Sequence, residues 1–343
     1  MAGANHFSRN IKAALFAWLG RYLTWMFSSP LTLDLKRCAK KDVLRAVQVA
    51  RDNHRGAAIY VFSEAAYGEI RGARHISTIE ALTSATLPCA VILACDSDEL
   101  AMQAVQFIRN RAGMFYYGAA RSFPAARYFH RDEAARLALK AAHGASLAMF
   151  DLPDFENIAQ AIHATRSLAG DYVEIGVYKG SSAYFALDYM ERAGIRRRSY
   201  FLDTFTGFDS GSAAASVDRT WFNTHTDTSR EAVQKLLAHF SPPHEVIKSN
   251  IITDALPAMI EKIAVCNIDV DMYEAVAAAL VKVAPRMAVG GIIIAEDSGH
   301  TPLLIGAYAA GSDFLESPAG SAFVPVEMMS GQLFLIKVRD SKT

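Results

Sequence analysis

Asp171-Tyr-Val-Glu-Ile-Gly-Val-Tyr-Lys-Gly-Ser-Ser182 is the stretch on which the reading of this chain turns. Tyr172-Val-Glu-Ile175 predicts a short buried strand with a carboxylate, Glu174, near its end. Gly176 and Gly180 follow, four residues apart. Ser181 and Ser182 are the expected caps of a helix whose body is Ala183 to Met190. Strand, glycine turn and helix start together make a ligand cradle. The glycines let backbone approach a ligand with no Cβ in the way, and the helix start offers free N–H groups. The spacing is not the GxGxxG of dinucleotide sites. Taken alone, the stretch equally suits a tight strand-to-helix turn in any α/β protein.

The next apolar run, Ser199-Tyr-Phe-Leu-Asp203, ends in an acid about 20 residues past the turn, where carboxylates bind the ribose of adenosine-containing cofactors. Glu174 would repel a pyrophosphate. It suits a cofactor with a cationic amino-acid end, and S-adenosylmethionine has both that end and a ribose.

Outward from there the alternation is regular. Strands are expected at 172–176, 199–203, 244–248, 264–269 and 290–295, with helices near 181–193, 229–240, 254–262, 273–286 and 302–316. Ala322 to Glu327 and Gln332 to Val338 flank a Ser330-Gly331 turn and read as a terminal hairpin. Upstream, residues 129–170 read as two lead-in helices, Asp132 to His143 and Phe155 to Leu168. Residues 36–128 read as a small α/β accessory domain with a parallel sheet: helices at 41–54, 79–82 and 98–111, strands at 57–62, 89–95 and 114–117. No glycine-rich turn follows its strands, which argues against a nucleotide site there. In residues 1–35, Ile11, Leu15, Trp18, Tyr22 and Trp25 recur at helical spacing, but Lys12 and Arg21 interrupt the apolar run. A spanning helix needs about 20 mostly uncharged residues. The segment 11–27 is expected to dock on its own protein or a second subunit; membrane contact and a signal sequence are the alternatives.

The 343 residues suffice for two domains, and 52% hydrophobic with 20% charged residues indicates a globular chain. Formal net charge is zero, so nothing points to nucleic acid as a partner. Cys38, Cys89, Cys95 and Cys266 form no CxxC, which suits buried free thiols in a cytoplasmic protein better than zinc.

Candidate chemistry gathers at the last two parallel strands. Cys266-Asn-Ile-Asp-Val-Asp-Met-Tyr-Glu274 places Asp269 and Asp271 where the fourth strand runs out. Gly290-Gly-Ile-Ile-Ile-Ala-Glu-Asp297 ends the fifth in Glu296 and Asp297. Ligands of open α/β sheets sit beyond the carboxyl ends of strands. Four carboxylates there repel one another unless a hard cation such as Mg²⁺ joins them; ordinary caps and ion pairs are the alternative. The long segment Gly207 to Asp227 offers Trp221, Phe222 and His225 as a cover, and His225 as a second base. His300 is a further candidate base.

Glu174-Ile-Gly-Val-Tyr-Lys-Gly180, Leu202-Asp-Thr-Phe-Thr-Gly-Phe208, Asp227-Thr-Ser229, Asp254-Ala-Leu-Pro257, Ile268-Asp-Val-Asp-Met-Tyr-Glu274 and Gly291 to Asp297 occur in this order. Over about 151–338 the chain resembles the macrocin O-methyltransferase type of class I S-adenosylmethionine-dependent enzymes. The resemblance implies a Rossmann-like class I methyltransferase sheet, mostly parallel, ending in an antiparallel hairpin. It implies methyl transfer to a hydroxyl of a sugar or glycosylated metabolite, with Glu174, Gly176, Tyr178, Gly180, Ser181, Ser182, Asp203, Thr204, Asn250, Ile251 and Asp269 around the cofactor. It implies Mg²⁺ on Asp269, Glu296 and Asp297, with Asp271 as general base. One departure stands out: the family has two aspartates where Glu296-Asp297 stands here. A metal-free site with Asp271 or a histidine as base stays open, and so does a non-catalytic cofactor- or nucleotide-binding protein that uses its N-terminal domain for partner contact. A homo-oligomer is expected.

Overall fold

The computed structural model describes residues 39–64, 66–95, 98–119, 127–145, 152–208, 218, 224–299 and 304–340. The described residues all lie within one compact unit, Lys36–Thr343. The expected amphipathic segment 11–27 is outside them, as are Trp221, Phe222 and His300. Among the described residues no helix is long and apolar enough to cross a membrane.

The first sheet has four parallel strands. Helix α1 (Lys40–Asn53) leads into β1 (Ala58–Phe62) and β2 (Arg74–Ile76); α2 (Ile79–Leu82), β3 (Cys89–Leu93), α3 (Asp98–Arg109) and β4 (Met114–Gly118) follow, in the order β2-β1-β3-β4. Period-2 alternation divides β1 and β3 between two cores. Ile59, Val61, Ala90 and Ile92 pack with Val43, Val47 and Ala50 of α1. Tyr60, Phe62, Cys89 and Val91 pack with Leu82, Ala104 and Ile108. Strand β2 is absent from the expected elements because its three residues, two of them exposed, carry no periodic signal.

The second sheet has seven strands. After α4 (Glu133–Ala145) and α5 (Leu152–Ala164) come β5 (Asp171–Ile175), α6 (Ser181–Arg192), β6 (Ser199–Asp203), α7 (Arg230–Leu237), β7 (His244–Lys248), β8 (Ile263–Ile268), α8 (Tyr273–Val283), β9 (Met287–Ala295), α9 (Ile305–Glu316), β10 (Phe323–Glu327) and β11 (Leu333–Lys337). The order is β10-β11-β9-β8-β5-β6-β7, parallel except for β11 and its hairpin partner β10. The chain winds from β5 to β6 and β7 on one side, then returns to β8 on the other. The winding thus reverses between β5 and β8, where open α/β sheets bind ligands beyond the strand ends. Val173, Ile175, Tyr200, Leu202, Cys266, Ile268 and Ile293 form one core with residues of α8 and α9. Tyr172 and Glu174 lie on the opposite face, where Glu174 meets Ser182 of α6.

Two expectations change. The segment 254–262 is not a helix but irregular chain with a short turn at 258–259. Pro257 removes an N–H and restricts the residue before it. The carbonyls are taken by cations from the end of α8 and just beyond. Lys282 Nζ donates to the carbonyls of Ile251, Ile252 (3.1 Å) and Asp254 (2.7 Å), and Arg286 Nη1 to those of Pro257 and Ile260 (both 2.7 Å). The hairpin turn is also longer than Ser330-Gly331: Met328 N donates to the Gln332 carbonyl (2.9 Å), so five residues make the loop. On the sheet edge, Pro325 of β10 removes an N–H from the side opposite β11, as edge strands commonly do.

Lys282→Ala leaves three carbonyls without their donor. Urea unfolding should show a loss of about 1–3 kcal/mol; an unchanged midpoint would mean water replaces the ammonium at no cost.

Candidate active site

The turn after β5 is built on backbone contact. Gly176 has φ +92°, and a Cβ there would overlap the Asp269 carbonyl. Asp269 N in turn donates to the Ile175 carbonyl at 2.9 Å. The tips of β5 and β8 therefore touch through main chain, and only glycine permits it. Gly180 (φ +84°) is the N-cap of α6, in place of the serines. Ser182 instead donates to Glu174 Oε1 at 2.6 Å, while Tyr172 donates to Oε2 at 2.9 Å. Glu174 is fully buried under the turn, and burial pushes its carboxyl up to about 7 despite those two donors. Its strand neighbour Asn267 is buried with neither side-chain amide atom bonded.

Asp203 closes the turn from the next strand. Its Oδ2 accepts from Val177 N (2.8 Å) and Tyr178 N (2.9 Å), and its Oδ1 from Phe205 N (2.6 Å). An ionised carboxylate has about four acceptor positions, so little remains for a ribose. Thr204 Oγ1 donates to the Gly207 carbonyl (2.8 Å). Asn250 Oδ1 accepts from Ile252 N (3.0 Å), and the Ile251 side chain lies in the core. Ser181 is buried in the first turn of α6.

Past β8, Asp269, Asp271 and Asp297 each bring a carboxylate oxygen within 4.8 Å of the others. Asp271 N donates to Asp297 Oδ2 at 3.1 Å. Burial, then the charges of Asp297 and Asp271, pushes the Asp269 carboxyl well up; burial, then Asp297 and Asp218, does the same at Asp271. Glu296 is outside this trio. It is buried, hydrogen-bonded to Asp297 and near Asp154, and burial pushes its carboxyl up as well. The structure thus groups Asp271 with Asp269 and Asp297, where the sequence expectation grouped Glu296.

His225 packs edge-on against Tyr178 (4.9 Å between centroids) and Phe208 (5.0 Å), with Nδ1 3.0 Å from Thr224 Oγ1. Burial pushes its pKa down, so the imidazole is neutral at pH 7. Asp227, exposed, accepts from Lys179 Nζ and the Tyr178 hydroxyl, both at 2.6 Å, and they hold its carboxyl down to about 2. Tyr178, Phe205, His225 and Asp271 are the non-glycine residues with positive φ among those described. All four stand in loops around the strand ends that hold the acids. Backbone strain of about 1–3 kcal/mol each is concentrated there.

Sequence reasoning missed Asp218, which is buried against α8, and Asp154 on α5. Neither lies in a motif; one comes from a long loop and the other from a lead-in helix.

Gly176→Ala should lose at least about 2 kcal/mol in urea unfolding, because a Cβ meets backbone and the φ is positive; a wild-type midpoint would refute the contact. Glu174 should impose its own pH slope. With an ordinary value of 4.5 and a folded value near 7, the unfolded chain loses the proton first, so the contribution of Glu174 falls as pH rises through that window. Glu174→Gln does not titrate, so its stability relative to wild type should rise by about 3 kcal/mol between those values and then level off. Paired unfolding curves from about pH 4 to about pH 8 check this; a flat difference would show Glu174 ionising normally.

The Macrocin-O-methyltransferase (TylF) family model matches residues 98–314, which is well over half of the chain. The match begins inside the segment read as a separate accessory domain and ends before the hairpin. Among curated proteins, the chain is 28% identical over 160 residues to demethyldecarbamoylnovobiocin O-methyltransferase of Streptomyces niveus, covering 43% of this chain and 61% of that protein. It is 27% identical over 161 residues to the 8-demethyl-8-(2,3-dimethoxy-alpha-L-rhamnosyl)-tetracenomycin-C 4'-O-methyltransferase of Streptomyces olivaceus, with the same shares. The chain therefore spans about three-fifths of the length of these relatives. Among solved structures, the O-methyltransferase NovP superposes with a TM-score of 0.47 and 21% identity, over 54% of this chain and 79% of that one. The match of the family model over residues 98–314 makes this chain a member of the macrocin O-methyltransferase family.

Proposed function

We propose that this protein transfers a methyl group from S-adenosylmethionine to a hydroxyl of a sugar or glycosylated small molecule. The observation that carries this reading is the meeting of Asp269, Asp271 and Asp297 beside the Gly176 turn, in a chain of this family. Relatives named for O-methylation of demethyldecarbamoylnovobiocin and of a rhamnosyl tetracenomycin support the acceptor class.

The residues present fit both groups. A glycine turn at the switch point and the orphaned amide of Asn267 suit a polar cofactor end. Three carboxylates within 4.8 Å are a hard, all-oxygen donor set suited to Mg²⁺. When bound, S-adenosylmethionine supplies an activated methyl on a sulfonium, and Mg²⁺ supplies positive charge where an acceptor oxygen becomes anionic.

The chain's own residues do the rest. Gly176 brings the β8 tip against the cofactor turn, so the acids face the place where the acceptor must sit. Asp269 and Asp297 would hold the metal. Glu296, buried and hydrogen-bonded to Asp297, orients that carboxylate, and its extra methylene suits this role. Asp271 takes the acceptor's proton at a carboxylate oxygen. Neutral His225, flanked by Tyr178 and Phe208, walls the site and excludes water. Residues 36–128 serve as an accessory domain, and the chain works as a homo-oligomer. The buried thiols Cys89, Cys95 and Cys266 fit a reducing cytoplasm.

Asp271→Ala should lower methyl transfer to a panel of sugar hydroxyl acceptors by a factor of about 10² or more, while calorimetry shows unchanged S-adenosylhomocysteine affinity. Chelation with EDTA should suppress the wild-type rate and added Mg²⁺ should restore it. Full activity of the variant would remove Asp271 from the role, and indifference to EDTA would remove the metal.

A further inference from the structure

The strained turn that carries Asp271 is held from a distant part of the chain. Asp271 has φ +54°, and Met272 N donates to the Val270 carbonyl at 2.5 Å, so residues 270–272 are tightly bent. A conformation of that kind persists only where its surroundings over-determine it. On one side the hold is Asp297, which accepts from Asp271 N. On the other side α8 begins at Tyr273, and its N-cap residue, Met272, makes no side-chain cap bond. The missing cap comes from Asp218, 55 residues earlier, whose Oδ2 accepts from Tyr273 N at 2.7 Å. Asp218 is only 2% exposed.

A third element makes room for it. Gly306 stands in the first turn of α9, and a Cβ there would overlap both carboxylate oxygens of Asp218. Alanine is the better helix former, so helix propensity does not account for glycine at 306. The space does: with Gly306, the carboxylate lies between two helix starts and completes one of them.

We infer that Asp218 is a positioning residue for Asp271: by capping α8 from across the chain, it fixes the bend that aims the Asp271 carboxylate. Gly306 is the second half of the device, because its missing side chain admits the cap. The functional consequence rests on Asp271 acting as the base. The anchoring itself does not.

Hydrogen exchange in the full chain, read on the peptide covering 269–276, tests the anchoring without any turnover. Asp218→Ala and Gly306→Ala should each speed exchange at the Tyr273 amide by about tenfold, the loss of a buried hydrogen bond. Asp218→Asn keeps an acceptor oxygen and should stay much closer to wild type. Methyl transfer should follow the same order, with kcat falling and the KM for S-adenosylmethionine unchanged. Gly306→Ala is the discriminating variant, because it leaves Asp218 in the chain and favours the helix. Wild-type exchange in both Gly306→Ala and Asp218→Ala would overturn the anchoring. Faster exchange with unchanged kcat would overturn the positioning role. A wild-type protein inactive on every acceptor would strike the proposed reaction instead, and the exchange result would still decide whether Asp218 is the cap.

Discussion

Main-chain contact between Gly176 and the Asp269 carbonyl governs this site. Two parallel strand tips ordinarily stand apart by the width of their side chains and then diverge into separate loops. Here the absence of one Cβ lets the backbone after β5 lie on the backbone after β8. The glycine turn and the acids are consequently joined through main chain. The Asp203 carboxylate ties the same turn to β6 through two of its backbone N–H groups, those of Val177 and Tyr178, and Gly176 N donates to the Leu202 carbonyl at 2.9 Å, so the strand tips of β5, β6 and β8 are joined. Positive φ at Tyr178, Phe205, His225 and Asp271 is the strain this convergence demands.

Electrostatics divides the neighbourhood in two. Exposed Asp227 has a lysine and a tyrosine, and its charge is well satisfied. Around Asp269 and Asp271 the charges that act are other carboxylates: Asp297, Asp271, Glu174 and Asp154 on the first, Asp297 and Asp218 on the second. Buried like charges raise one another's pKa and cost stability until a proton or a cation intervenes. Asp297 and Glu296 take the first route in part, by sharing a hydrogen bond. The trio is the place where the second route is available. Carboxylates arranged so that they repel one another are a recurring feature of functional sites.

Much of the architecture was legible in local pattern. Buried parallel strands read as continuous apolar runs, and 199–203 and 290–295 follow from that alone. The failures share a cause. The segment 254–262 carried helical residues, but Lys282 and Arg286 claim its carbonyls, and those contacts span 26 to 30 positions. Ser182 looked like a cap, yet a buried carboxylate eight residues earlier is the stronger partner. Glu296 was expected beside Asp269 and Asp297, and the structure brings Asp271, from the loop after β8, to those two instead.

The amino-acid order by itself determined where the strands end: a glycine turn after the first strand of the second sheet, acids at the ends of 199–203, 264–269 and 290–295, and alternation that makes the sheet parallel. Side-chain period and chain direction are local properties, so they can be read locally. Only the tertiary structure decided which acids meet. It put Asp271 into the trio and Glu296 behind it, buried Glu174 beneath the turn, and brought Asp218 to the start of α8. Those choices depend on distances between strand tips and helix ends far apart along the chain, and the packing of the two sheet faces sets them.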